Sequence, residues 1–259
     1  MNADAKYNTR KVLEMAYAEI FTRFMEDPRH RDKFLGYAHF VAMKGRCYRT
    51  ATDKNGKEFR LMLVGRATNG WYSYAANTAD EFGKRCYEDF NKDAQPERSK
   101  KIASRQGTAF WDYPRSIWEE IAKPTIEECG EKPHWFEYIV WSNLYKISPR
   151  SEKNRDTPGI PDDQMKNLQR PACVEILKAE ILALNPTIIL MQTNLDWLSP
   201  FNDIFDRVTH YKNEDFVMAT TRVKQSGTPV IITRVPFDKR EKKAFTDAVV
   251  STFEQLCEK

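Results

Sequence analysis

The sequence predicts an α/β fold, a three-layer α/β/α sandwich around a mostly parallel central sheet, on two observations. Short apolar runs recur along the chain: Leu61-Met62-Leu63-Val64, Tyr138-Ile139-Val140-Trp141, Thr187-Ile188-Ile189-Leu190-Met191 and Pro229-Val230-Ile231-Ile232-Thr233. None alternates polar with apolar, and continuous runs of this length suit strands covered on both faces, as in parallel sheets. The intervals between them leave room for helices. One interval carries Val174, Leu177, Ile181 and Leu184 at helical spacing up to Asn185-Pro186.

In chain order, Asn8 is placed to cap a helix with Val12, Ala16, Ile20 and Phe24 on one stripe, ending before Asp27-Pro28. The polar turn Asp53-Lys54-Asn55-Gly56 separates residues 46–51 from 59–64 and predicts a hairpin. Residues 148–163, rich in Pro, Asp, Arg and Lys, read as a long exposed loop. A last helix is expected over about residues 240–256. At 259 residues the chain fits one domain or two. The reading adopted is one domain over 1–259, with residues 1–45 as a helical extension.

Hydrophobic residues make up 41% and charged residues 30%, a balance that excludes a disordered tract and an integral membrane protein. No apolar run approaches the roughly 20 residues of a spanning helix. The polar residues 1–10 lack the apolar stretch of a signal peptide, so a cytoplasmic location is expected. The cysteines Cys47, Cys86, Cys129, Cys173 and Cys257 are far apart and predict reduced, mostly buried thiols. Neither they nor His30, His39, His134 and His210 have metal-ligand spacing, so no metal and no cofactor is expected. Lys and Arg number 41 against 37 Asp and Glu, a mildly basic balance that permits a nucleic-acid partner.

In a parallel sheet with helices on both faces, ligands bind beyond the carboxyl ends of the strands. The segments concerned are 65–74, 142–149, 192–197 and 233–237. Four fragments then stand in order: Leu63-Val64-Gly65-Arg66-Ala67-Thr68-Asn69-Gly70; Val140-Trp141-Ser142-Asn143-Leu144; Leu184-Asn185-Pro186-Thr187-Ile188-Ile189; and Val230-Ile231-Ile232-Thr233-Arg234-Val235-Pro236. Between the second and third lie Asn154-Arg155, Pro158, Pro161, Gln169 and Cys173. Together these resemble the uracil-DNA glycosylase superfamily, most closely its iron–sulfur branch, over residue 60 to the C-terminus. The resemblance implies a Gly-led catalytic loop at Gly65, a base-reading amide at Asn143, and a loop stabilising the leaving base around Thr233 and Pro236. It also implies a DNA partner, with no membrane involved.

The departures from the family pattern redirect the chemistry. Arg66 and Ala67 stand where the family has its acid, Val235 replaces the motif histidine, and the cluster cysteines are missing. Breaking a glycosidic bond places negative charge on the base and positive charge on the sugar, so a cation and a positioned water are both wanted. Arg66 and Arg234 are the candidate cations, and Asn69 the candidate for orienting water. Asp80 and Glu81 are the nearest downstream carboxylates. Trp71, Tyr72 and Phe110 are candidates for stacking on the base, with Tyr74 and Trp111 nearby, although such aromatics are more often core. Lys239, Arg240 and Lys242, with Lys243, follow the last motif and are candidates for gripping phosphates, and Phe237 for wedging into the gap left by a flipped base.

In the family the fourth residue after the loop glycine is a tyrosine that crowds the 5-position of the base. The matching residue here is Asn69, smaller and polar, so the resemblance implies room for a 5-modified pyrimidine such as those of some phage genomes. The activity expected is therefore DNA glycosylase, with anti-phage defence as its setting. The alternative is a catalytically inactive DNA- or protein-binding member of the same fold, and a weaker rival is a small-molecule nucleoside or nucleotide enzyme.

Overall fold

The structure is a computed structural model, and it describes residues 3–67, 75–92, 109–124, 134–150, 159–211, 215–236 and 238–257. Its strands are β1 (Ala38–His39), β2 (Met43–Lys44), β3 (Ala51–Asp53), β4 (Leu61–Ala67), β5 (Ala122–Pro124), β6 (Ile139–Tyr145), β7 (Ile147–Ser148), β8 (Ile188–Gln192), β9 (Thr209–His210), β10 (Val217–Arg222) and β11 (Pro229–Thr233). The helices are α1 (Ala3–Glu26), α2 (Ala79–Phe90), α3 (Ala109–Ile121), α4 (Asp163–Leu184), the short α5 (Leu195–Leu198) and α6 (Lys242–Cys257). The fold is mixed α/β with a mostly parallel central sheet. No helix among the described residues is long and apolar enough to cross a membrane.

The chain divides into two compact units. The first comprises Met1–Ala42, Gly65–Lys92 and Asn143–Leu184; the second comprises Met43–Val64, Asp93–Ser142 and Asn185–Lys259.

The second unit is built on a seven-stranded sheet in the order β2-β6-β4-β8-β11-β10-β9. β4 runs parallel to β8, with Leu61 opposite Ile188, and β8 runs parallel to β11, with Val230 opposite Ile189. Every residue of β8 is buried, as its unbroken apolar run predicts for a central strand. The edges are antiparallel. β10 pairs with β11 through a register shift between Val217 and Ala219, and β9 is two exposed residues. A short, exposed edge strand offers little ladder to a passing chain. From α6, Phe245 packs on Tyr113 of α3 with ring centroids 4.8 Å apart, and Phe253 packs on Phe59 at 5.7 Å.

The expected hairpin forms only in part. Asp53 Oδ1 accepts from the backbone N–H of Asn55 at 2.8 Å and of Lys57 at 2.9 Å, and Gly56 takes φ of 78°, so the turn closes as the sequence suggests. Beyond it, β3 pairs instead with β5, Ala51 opposite Pro124, and a single bridge joins Thr52 to Glu58. The following residues are drawn off into the central sheet, where Arg60 is tied by its N–H to Thr187 Oγ1 at 2.8 Å. Cys47 is disulfide-bonded, which corrects the expectation of reduced thiols throughout; Cys86, Cys173 and Cys257 are free. Spacing along the chain does not report which sulfurs meet in space.

The first unit is a helical assembly of α1, α2 and α4 with the antiparallel pair β1–β7. α1 stops before Asp27, as expected, but begins upstream of Asn8, which lies inside the helix. It is an integral part of this unit: Phe21 and Phe24 meet Phe34 at 5.3 and 5.2 Å, and Tyr17 and Phe21 meet Phe82 of α2 at 6.4 and 5.6 Å. Gly83 allows that approach, since a Cβ there would lie 2.2 Å from Glu14 O.

A buried polar network fixes the segment after β6. Lys146, with its side chain fully buried, donates from Nζ to both carboxylate oxygens of Glu180 on α4, at 2.8 and 3.0 Å. The same ammonium lies 5.5 Å from the Phe40 ring centroid. Gln169 Oε1 accepts from the backbone N–H groups of Lys146 and Ile147, each at 2.9 Å, while its Nε2 donates to Ile147 O at 2.9 Å.

Candidate functional site

In the first unit, Gly65, Arg66 and Asn143 stand on the last residues of β4 and β6. Gly65 is buried inside β4, which continues to Ala67, so the strand outruns the glycine expected to open the loop. Arg66 is half-buried. Asn143 is 1% exposed, and its Nδ2 has no hydrogen-bond partner among the described residues. The strand that bears it is held three residues later by the Lys146–Glu180–Gln169 network, so this amide sits on a rigid support.

The carboxylates Asp80 and Glu81 are both engaged at the start of α2. Glu81 Oε2 accepts from Asn77 N–H at 2.9 Å, and the N-cap Thr78 Oγ1 accepts from Glu81 N–H at 3.2 Å. Asp80 pairs with Lys84 at 2.6 Å, and Glu81 pairs with Arg85 at 2.7 Å. Both have structural work at a helix terminus, which accounts for acids at that position.

In the second unit the ends of β8 and β11 are laced together by Asn194. Its backbone N–H donates to Thr233 O at 3.1 Å, and its Oδ1 accepts from Val235 N–H at 2.8 Å. Asn194 takes φ of 62° with ψ of 166°, a positive-φ extended conformation that residues with a side chain rarely adopt. Gln192 and Thr233 are partners in the parallel ladder and therefore share a face of the sheet. Both are fully buried. Thr233 Oγ1 donates to Met191 O at 3.4 Å, whereas neither Oε1 nor Nε2 of Gln192 has a partner among the described residues.

Arg234 is turned toward the α6 side. Its guanidinium lies 4.9 Å from the Phe216 ring centroid and donates to Glu241, and Phe216 in turn packs on Phe245 of α6. Tyr113 donates its hydroxyl to Asp238 O, fastening α3 to the turn that precedes α6. Pro236 is buried, so Thr233 and Pro236 shape this loop from within.

The basic stretch is interleaved with acids. Arg240, with a 90% exposed side chain, makes a bidentate pair with Asp238, with Nε 3.1 Å from Oδ1 and Nη2 2.6 Å from Oδ2. That guanidinium holds the Asp238 carboxyl at about 2, well below its ordinary value. Lys243 pairs with Asp247 at 2.7 Å, while Lys242 has no ion pair among the described residues. Phe110 belongs to an aromatic cluster, 4.9 Å from Trp111 and 6.4 Å from Trp141. Asn69, Trp71, Tyr72 and Phe237 lie outside the described residues, as does the side chain of Lys239. Among the described residues no group of three or more His, Cys, Asp or Glu is arranged to hold a metal ion.

The sequence placed Gln192 and Asn194 in the strand-end segment 192–197 without giving either a role, and Phe216 and Glu241 were passed over. Gln192 left a signal, since a polar amide closes an otherwise apolar central strand. Glu241 lies within a basic stretch and shows its importance only through its contact with Arg234. Compared with protein-family models and with curated proteins, the chain matches none.

Proposed function

We propose that the chain is a DNA glycosylase with a uracil-DNA glycosylase-like three-layer fold, which extrudes a base and reads its polar edge through Asn143. The observation that supports this most is the buried Asn143 amide, whose Nδ2 has no partner among the described residues. Leaving such a donor unpaired costs about 1–3 kcal/mol, and an extruded base supplies the missing acceptor. Excision then joins a water oxygen to C1′ as the C1′–N bond breaks; the bonding pair leaves on the base nitrogen, which takes a proton originating from water. Arg66 is the cation proposed to steady the departing base, and Asn69 the amide proposed to orient water. The substrate proposed is a pyrimidine carrying a bulky 5-substituent, and the setting is cytoplasmic defence against phage with modified genomes.

A second reading, a non-catalytic DNA binder, is favoured by one observation: Arg234 is already engaged by Glu241 and Phe216. The two separate on plain, uracil-containing, 5-hydroxymethylcytosine-containing and glucosylated DNA, assayed for released base and alkali-labile abasic sites. Excision of a 5-modified base supports the glycosylase. Ready release of uracil with the modified bases untouched rejects the open 5-position, and binding of all four without release supports the non-catalytic reading.

A further inference from the structure

The end of β8 holds a second buried amide without a hydrogen-bond partner among the described residues. Gln192 has no exposed surface, and both heteroatoms of its amide lack partners among the described residues. Burying an amide without hydrogen bonds is among the less favourable arrangements in a core, and leucine or methionine would fill the same space at lower cost. The position is also specific. It is the last residue of a central parallel strand, where ligands of α/β sheets bind, and it shares a face with the Thr233 hydroxyl across the ladder. The backbone around it is fixed, because Asn194 ties the end of β8 to Thr233 and Val235.

We infer that Gln192, with Thr233 beside it, hydrogen-bonds the polar edge of a nucleobase and is a specificity-determining residue. The inference rests on the base-handling reading for the class of ligand. A glutamine amide presents one acceptor and two donors in a plane, the complement of a base edge carrying a donor beside an acceptor. No charged side chain is needed for such recognition, and among the described residues none is buried at this strand end.

The test uses the full chain with free uracil, cytosine, 5-hydroxymethylcytosine, adenine and guanine as probes, alongside excision from the matching DNAs. With 15N-labelled protein, a binding base should move the Gln192 side-chain amide resonance, identified by its loss in Gln192→Leu. That variant should weaken base binding by about 5- to 150-fold, the range for one bidentate base contact. It should also melt higher than the wild type by about 2–4 °C, the shift expected when roughly 1 kcal/mol of frustration is removed from a chain of this size. Gln192→Glu, which offers acceptors only, should favour bases with an exocyclic amine over uracil.

A drop in melting temperature for Gln192→Leu, or no base bound by the wild type, would overturn the proposal. So would base binding that the variant leaves unchanged. If bases bind through Gln192 but no DNA loses a base, the glycosylase reading fails and this inference stands. If DNA is cleaved by Gln192→Leu with the wild-type rate and base preference, the inference fails and the glycosylase reading stands.

Discussion

Replacing Lys146 by Met should be one of the most damaging single changes in the first unit. The substitution preserves chain length and most of the apolar stem, and removes the charge that faces Glu180. Glu180 is fully buried, and both of its carboxylate oxygens are held by Lys146 Nζ, at 2.8 and 3.0 Å. Breaking a buried pair from one side costs about 3–5 kcal/mol, because the partner charge is stranded away from water. At about 2–4 °C per kcal/mol, the melting temperature should fall by about 6–20 °C. The double variant Lys146→Met with Glu180→Leu removes both charges and should recover to near wild type, since an apolar pair of similar volume often replaces a buried ion pair without loss. Thermal and urea denaturation of the two single variants and the double variant, analysed as a cycle, gives the coupling directly. A Lys146→Met protein within 1 kcal/mol of wild type would refute the reasoning, as would a double variant no more stable than either single one.

Three further outcomes follow from other parts of the molecule. Burial holds His39 down to about 4, whereas in the unfolded chain it takes up a proton near 6.5. Between those values the unfolded state binds more protons, so stability should decline by about 3 kcal/mol as pH falls from about 6.5 to 4; His39→Gln should flatten melting temperature against pH over that window. Changing Lys239, Arg240 and Lys242 together to Ala should lower the salt slope of DNA binding by about 2–3, the smaller value applying if the Asp238 pair already neutralises Arg240; an unchanged slope would place the phosphate contacts elsewhere. Of the free thiols, exposed Cys257 should be alkylated first in the native protein, because burial pushes Cys173 up to about 12 and Cys86 well above its usual range; labelling of Cys173 before Cys257, read by mass spectrometry, would contradict this.

The central strands were legible because β4, β6, β8 and β11 are the unbroken apolar runs, and a strand covered on both faces leaves that mark in any sequence. β10 was not, because Val217-Met218-Ala219-Thr220-Thr221-Arg222 is an edge-side strand with a bulge and a mixed polar pattern. α1 and its end before Asp27 were legible from a four-residue apolar repeat, but its start was not, since Asn8 has the composition of a cap and not the position of one. The hairpin turn was legible from Asp53 to Gly56, yet the partner strand was not, because β3 pairs with β5 some 70 residues later. Asn143 was found through a resemblance; its burial, and an Nδ2 with no partner among the described residues, are properties of the fold. Lys146 and Glu180 were passed over because charged residues 34 apart give no sign that both will lie in a core.

The most direct measurement of the central claim is a titration of the chain into duplex DNA carrying 2-aminopurine beside a 5-hydroxymethylcytosine, read by fluorescence, for the wild type and for Asn143→Ala. If Asn143 completes its hydrogen bonding on an extruded base, the wild type should raise the fluorescence as the base leaves the stack. Asn143→Ala should lose that rise while keeping its affinity for DNA at low salt, where phosphate contacts dominate. A wild-type protein that binds the duplex with no change in fluorescence, or a variant that gives the full wild-type rise, would contradict the assignment.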